Sequence, residues 1–192
     1  AICQNRLEML MEDETLSEQQ MGEIAKTCQT LEYVSKLNKS LLLLSKIDNS
    51  QFASVEKVCL NEILYRYLDD YQEVYDYKGI TLDVHEKNTF NITMNGTLAV
   101  VLITNLLKNA FVHNIYKGKI QIEITSSNIR FGNTGKDEHL DEKHIFERFY
   151  QGSKKEGSTG LGLAIVDAIC RQSQLSIQYQ FVKGWHWFDI SC

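Results

Sequence analysis

Asn105-Leu-Leu-Lys-Asn109-Ala-Phe-Val-His113-Asn114 places three polar side chains four residues apart, and positions i, i+4 and i+8 share one face of an α-helix. Leu98, Val101, Leu102, Leu106, Leu107 and Ala110 fill much of the remaining circumference. The segment therefore reads as a buried helix with one polar seam rather than as a solvated helix. Asn is a weak helix former and is costly to bury unless its amide is satisfied. Amides along such a seam either cross-link buried backbone or face a ligand. The amide oxygen of Asn109 suits Mg²⁺, a hard ion that takes oxygen ligands and is usually shared with phosphate and water. His113 taken alone reads equally well as a satisfied edge histidine.

A second stretch lies about fifty residues downstream: Ser158-Thr159-Gly160-Leu161-Gly162-Leu163-Ala-Ile-Val166. Its glycines leave backbone N–H groups uncovered just before an apolar helix expected over roughly Leu161 to Arg171. Bare N–H groups at a helix N-terminus form an anion site, helped by the aligned peptide dipoles. Glycine also serves turns and close packing, so the pattern has a structural reading too. The segment in front, Lys154-Lys-Glu-Gly-Ser-Thr159, is small, polar and basic, the composition of a mobile flap over phosphates. Together the two stretches point to a pocket for a phosphate-rich nucleotide.

With Ile145-Phe-Glu-Arg-Phe-Tyr150 between them, these motifs resemble, in order and separation, the ATP-binding region of bacterial sensor histidine kinases. That family belongs to the Bergerat-type ATPases with Hsp90, gyrase B and MutL. Asn105 to Asn114 is similar to its N box, Ile145 to Tyr150 to its F box, and Ser158 to Leu163 to its G2 box. The resemblance implies an α+β fold: a two-layer α/β sandwich with ATP held between the N-box helix and a flexible lid. It further implies Mg²⁺ on Asn109, with Asn105 and His113 near the phosphates. The backbone of Thr159, Gly160, Leu161, Gly162 and Leu163 would lie behind the phosphate chain, and Phe146 would anchor the lid beside Phe149.

The G1 box departs from the family pattern Asp-x-Gly-x-Gly. Its counterpart is Asn133-Thr134-Gly135-Lys136-Asp137, with Asn133 in the position of the aspartate that binds the adenine amino group. Asn keeps an acceptor oxygen without the charge, which weakens the hydrogen bond. Asn-Thr-Gly is also ordinary turn chemistry. Val112 and Gln151 stand where many members carry a phosphate-contacting Lys and Arg; Arg148, Lys154 and Lys155 are the candidate substitutes. Weak ATP binding is the expectation.

Residues 1–50 read as two helices, the first from Ala1 to about Asp13. Ser17 followed by Gln20 forms a capping box for the second. Ile24, Cys28, Leu31, Val34, Leu37, Leu41, Leu44 and Ile47 then follow in steps of three and four, a bundle seam that an isolated hairpin cannot bury. Pairing with a second copy would make a four-helix bundle. In the family this is the dimerisation and phosphoacceptor hairpin. None of the five histidines lies within it, so the acceptor His and its adjacent acid are expected upstream of Ala1, leaving no catalytic residue for autophosphorylation here.

Residues 51–60 read as a linker and residues 61–192 as the ATP-binding unit. Asn61 to about Tyr77 is expected to be helical, with Leu64, Leu68, Tyr71 and Tyr75 inward. Strands are expected at Ile80–Val84 and Phe90–Met94, then at Lys119–Thr125, Asn128–Phe131, Leu175–Phe181 and Trp187–Ser191 in one mixed sheet.

At 192 residues and 43% hydrophobic content, one compact domain with a helical appendage is the natural division. A net charge of −5 argues against nucleic acid as the main ligand. No apolar run reaches membrane-span length, and no signal peptide is present, so the expected location is cytoplasmic, with a membrane anchor upstream still open. Cys3, Cys28, Cys59, Cys170 and Cys192 are widely spaced without a Cys-x-x-Cys, which reads as reduced thiols. The expected activity is transfer of the ATP γ-phosphoryl group to a histidine, for relay to an aspartate on a response-regulator receiver domain. Two alternatives stay open: a nucleotide-binding module without kinase activity, and a docking scaffold of the same fold.

Overall fold

The protein is described by a computed structural model for residues 2–12, 15–152 and 158–192. A short helix, α1 (Ile2–Met11), packs on a long one, α2 (Glu18–Asp48). The expected capping box starts α2: Ser17 Oγ accepts the Gln20 N–H at 3.3 Å, and the Ser17 N–H donates to Gln20 Oε1 at 2.9 Å. Strand β1 (Glu56–Cys59) and helix α3 (Leu60–Val74) follow, with a 3₁₀ turn at Asp76–Lys78. Next come β2 (Thr81–Glu86), β3 (Asn91–Met94), helix α4 (Gly96–Val112), β4 (Lys119–Ile124) and β5 (Asn128–Thr134). Helix α5 (Gly162–Gln172), β6 (Ser176–Val182) and β7 (Trp185–Ser191) complete the fold.

Five strands form a mixed sheet in the order β2-β4-β5-β7-β6, with β2 and β4 parallel and the other neighbours antiparallel. Alternation sets its two faces. Ile129, Phe131 and Asn133 of β5, with His186, Phe188 and Ile190 of β7, are all buried, and α4 and α5 pack on the sheet. Helix α3 packs on α4 in turn. The opposite face is polar, with the Arg130 guanidinium 4.5 Å above the Trp187 ring and Trp185 stacked on Trp187 at 5.5 Å. This is the expected two-layer α/β sandwich behind a helical N-terminal part.

Two expectations need correction. Residues 51–60 are not a bare linker, because β1 pairs antiparallel with β3, Glu56 opposite Met94 and Cys59 opposite Asn91. That pairing also takes the Phe90–Met94 segment out of the main sheet; a period-two pattern identifies a strand but not its partner. As expected of a hairpin by itself, the seam of α2 is largely unburied; its C-terminal end is the exception, where Leu44 and Ile47 sink into the main core and α2 packs on α5. Val34 and Leu42 higher on α2 stay 52% and 55% exposed.

Between β5 and α5 the chain makes a long crossing secured by buried Ile145 and by half-buried Leu140, Phe146 and Tyr150 packed against the core. Its turn is held by Asp141, which accepts from Lys143 N at 3.0 Å and from His144 Nδ1 at 2.6 Å. The His144 hydrogen bond, with the Lys143 N–H, holds the Asp141 carboxyl below its ordinary range, and Asp141 in turn holds the His144 imidazole above its own. A lowered acid and a raised base stabilise the turn together. Their contribution is complete between the unfolded values of about 3.9 and 6.5. It is lost as pH rises through the His144 titration or falls through that of Asp141.

Asp141→Asn should therefore move the His144 titration, followed by its ring proton shifts in NMR, back down toward the ordinary histidine value. Leu64 of α3 is fully buried. Leu64→Ala should lower unfolding free energy by about 2–5 kcal/mol in urea denaturation, since the packed layer cannot collapse fully onto the void.

Candidate functional site at the polar seam of helix α4

Helix α4 is apolar on most sides and carries Asn105 and Asn109 within its length. His113 stands one residue past Val112 as the C-cap (φ −86°, ψ 0°), its N–H donating to Asn109 O at 3.0 Å. Asn105 has a divided role. Its Nδ2 donates to Val101 O of its own helix at 2.8 Å, while its Oδ1 lies 3.2 Å from where a Cβ would stand on Gly162. The amide donor thus cross-links backbone, as one reading allowed, and the amide oxygen faces the start of α5. Asn109 is half-buried, and its side chain makes no hydrogen bond to any described residue.

Two residues outside the expected set hold the end of α4 in place. Lys78 Nζ donates to Phe111 O at 2.8 Å and Val112 O at 2.9 Å, a cation on the carbonyl end of the helix dipole. Asn114 is buried; its Oδ1 accepts from Thr134 Oγ1 at 2.7 Å and its Nδ2 donates to Lys119 O at 3.1 Å. Asn114 thereby ties α4 to β4 and β5. Asn114 closes the N-box stretch but lies off its four-residue spacing, and a lone lysine gives no periodic signal, so neither role was legible in the sequence.

At the other stretch, α5 begins at Gly162 with Leu161 as its N-cap and no side-chain capping bond, one residue later than expected. The N–H groups of Gly162, Leu163 and Ala164 have no partner within the helix, and no acidic residue occupies its first turn. Gly160 adopts φ +67°, and a Cβ there would come within 2.8–2.9 Å of the Phe149 backbone, so only glycine fits without displacement. Phe149 N–H donates to Gly160 O at 2.9 Å, and Gln151 Nε2 donates to Ser158 O at 2.7 Å. The F-box segment and the glycine loop with Thr159 are therefore one hydrogen-bonded unit. Phe146 packs on the core as an anchor should; Phe149 does not, being 56% exposed and at φ 67°.

Asn133 lies inside β5 rather than in a turn, and it is 1% exposed. Its Nδ2 donates to Thr134 O at 3.0 Å, and its Oδ1 has no hydrogen-bond partner among the described residues. Thr134 O can only accept, so the nitrogen must face it and the unpaired atom is an acceptor. A buried acceptor without a donor is costly unless a ligand supplies one. Just beyond, Gly135 sits where a Cβ would come within 2.7–2.8 Å of the His186 ring and 3.6 Å of His113 O. The seam therefore has the start of α5 at Asn105 and the end of β5 at His113. Eight helical residues separate those ends, a span of about 12 Å.

Of the expected substitute cations, Arg148 pairs with Asp48 of α2 at 2.5 Å, and Lys154 and Lys155 lie outside the described residues. Two open clefts, of about 520 and 550 Å³, lie elsewhere: one between α2, the F box and α5, the other along the β2–β4 edge. Phe146 is the one expected site residue lining either. Among the described residues no three His, Cys, Asp or Glu side chains gather to hold a metal. An ion at Asn109 would therefore draw its other ligands from phosphate and water, which suits Mg²⁺.

Residues 94–185 match the family model described as histidine kinase-, DNA gyrase B-, and HSP90-like ATPase. Over 173 residues the chain is 31% identical to the heme sensor protein HssS of Staphylococcus aureus, covering 87% of this chain and 37% of that protein. Against HssS of Staphylococcus epidermidis it is 34% identical over 141 residues, 71% of this chain and 31% of the relative. The chain thus spans about a third of the length of these curated relatives. Among solved structures, the Acinetobacter baumannii histidine kinase AdeS superposes with a TM-score of 0.70 at 22% identity, covering 98% of this chain and 91% of that one. The histidine kinase ThkA in complex with the response regulator TrrA gives 0.66 at 18% identity, covering 97% and 54%. The chain carries the histidine kinase ATPase catalytic domain of two-component sensor kinases.

Proposed function

We propose that this chain binds ATP·Mg²⁺ along the α4 seam and, within its whole protein, transfers the γ-phosphoryl group to a histidine for relay to a response-regulator aspartate. The observation that carries the reading is the double closure of the seam: the uncapped start of α5 meets Asn105, and the end of β5 with its unpaired Asn133 acceptor meets the His113 end. In this reading Asn133 Oδ1 accepts from the adenine amino group, and Gly135 gives the base room. Asn105 and His113 lie along the phosphates, and the backbone of Thr159 to Leu163 supports their far end with the N–H groups of α5. Phe146 fixes the base of the lid. Asn109 would hold Mg²⁺, which supplies neutralisation of phosphate charge. The protein's own contribution is positioning, since phosphoryl transfer needs little side-chain acid–base chemistry.

Residues 1–50 act as a dimerisation hairpin, supported by the exposure of Ile2, Met9, Val34 and Leu42. With no histidine in this hairpin, the acceptor is supplied from outside residues 1–50. The strand at 56–59 belongs with the catalytic unit that continues to 192, because its partner β3 lies inside that unit. A response-regulator receiver domain is the partner, by analogy with the complex of ThkA and TrrA. No described helix is long and apolar enough to cross a membrane, and a cytoplasmic setting agrees with access to ATP. A second reading, nucleotide binding without transfer, is favoured by Val112 and by Gln151, whose amide is committed to Ser158 O.

Titration with ATP and Mg²⁺, followed by calorimetry, tests the binding. Saturable Mg²⁺-dependent binding is expected, and its absence at millimolar nucleotide would remove the reading. Asn109→Ala should abolish Mg²⁺-dependent ATP binding while leaving the melting temperature nearly unchanged, because that amide bonds to no described residue. Retained affinity would show that the ion is held elsewhere. Transfer of labelled γ-phosphate to a histidine-bearing hairpin added in trans separates the kinase from the second reading.

A further inference from the structure

His186 is the buried neighbour of both G1-box residues. It lies directly opposite Asn133 in the β5–β7 register, is 7% exposed, and its ring fills the space a side chain on Gly135 would need. Its two nitrogens are both engaged: Nε2 with Lys136 O at 3.0 Å and Nδ1 with the Tyr179 hydroxyl at 2.8 Å. Tyr179 in turn takes the Leu140 N–H at 3.4 Å. A carbonyl only accepts, so Nε2 carries a proton and donates to Lys136 O. With Nε2 as the protonated nitrogen of a neutral imidazole, Nδ1 is an acceptor, and Tyr179 donates its O–H there while accepting from Leu140. Burial pushes the Tyr179 hydroxyl above its ordinary range, which keeps that proton in place. The result is a continuous relay: Leu140 N–H to Tyr179, Tyr179 to His186, His186 to Lys136 O.

The relay joins both ends of the segment from Lys136 to Leu140 to strands β6 and β7. That segment leaves β5 immediately after Asn133 and Gly135, and His139 packs edge-on against Tyr179 and Phe181 at 6.1 Å each. Without the relay, the strand end that presents the Asn133 acceptor has no other side-chain hydrogen bond to β6 or β7 among the described residues. We propose that His186 and Tyr179 are positioning residues for the nucleotide base, fixing the Asn133–Gly135 strand end so that its acceptor meets the adenine amino group. The pair touches neither phosphate nor metal in this arrangement. The inference rests on the ATP reading of the seam and adds to it a specific device for base recognition.

The test separates base from phosphate. Affinities of the full chain for Mg²⁺·ATP and for Mg²⁺·tripolyphosphate, which has the same charged chain without adenosine, are measured by calorimetry in wild type, His186→Phe, His186→Gln and Tyr179→Phe. His186→Phe keeps a ring among Tyr179 and Phe181 but removes both hydrogen bonds. It should weaken ATP binding about tenfold and leave tripolyphosphate binding unchanged. His186→Gln restores the donor to Lys136 O and should recover part of that loss. Tyr179→Phe deletes one hydroxyl and should fall between them; it carries the same test if His186→Phe does not fold. Equal losses for ATP and tripolyphosphate, or ATP affinity that none of the variants changes, overturn the positioning role while leaving the ATP site intact. A wild-type chain that binds tripolyphosphate but gains nothing from adenosine overturns it as well. A wild-type chain that binds neither removes the ATP reading and the inference with it.

Discussion

Everything in the catalytic layer depends on one helix being buried on nearly all sides while one line of amides along it is left open. Leu98, Leu102, Leu106 and Leu107 are fully buried, and with Ala110 and Phe111 they give α4 contacts to α3, α5 and the sheet. Burying such residues stabilises the layer by about 1.5–3 kcal/mol for each large side chain. That margin allows a helix to carry Asn105 and Asn109, which weaken it in isolation. A helix so fixed cannot rotate to hide its polar seam without exposing its leucines. The seam is therefore a permanent feature, around which the start of α5 and the end of β5 are arranged.

The two ends of the seam are held by different means. At the α5 end the device is backbone geometry: Gly160 at positive φ, the Phe149–Gly160 hydrogen bond, and a helix start with no side-chain cap. At the β5 end the device is side-chain cross-linking, through Asn114 to Thr134 and Lys119, Lys78 to the α4 carbonyls, and His186 to Lys136. A phosphate chain is recognised by N–H groups and dipoles, which glycine exposes. A base is recognised by one directed acceptor, which needs a rigid strand. The division suits the two halves of the nucleotide proposed for the seam.

The hairpin is joined to this layer through the last turns of α2. Leu44 and Ile47 are buried, and Asp48 pairs with Arg148 of the F box. The ion pair is half-exposed and contributes little by itself. Its place matters more, because it commits the F-box arginine, a candidate phosphate cation by sequence, to the hairpin side. The apolar stripe of α2 thus serves two surfaces, its lower end the catalytic layer and its exposed upper part the partner surface proposed for the hairpin.

Local patterns carried far into the structure. The four-residue spacing of Asn105, Asn109 and His113, the glycines before α5 and the Ser17–Gln20 box each act within one or two turns of chain, so their meaning survives without knowledge of the rest. The family resemblance of the three boxes extended that reading to the sandwich fold. What tertiary structure decided was partnership across distance. The pairing of β1 with β3, the placement of Asn133 within a strand, the crossing of Lys78 to α4, and the relay from His186 through Tyr179 all join residues far apart in the chain. Alternation can mark a strand and composition can mark a buried polar residue. Neither says which neighbour it will meet, because that is settled by how the sheet and helices pack as a whole.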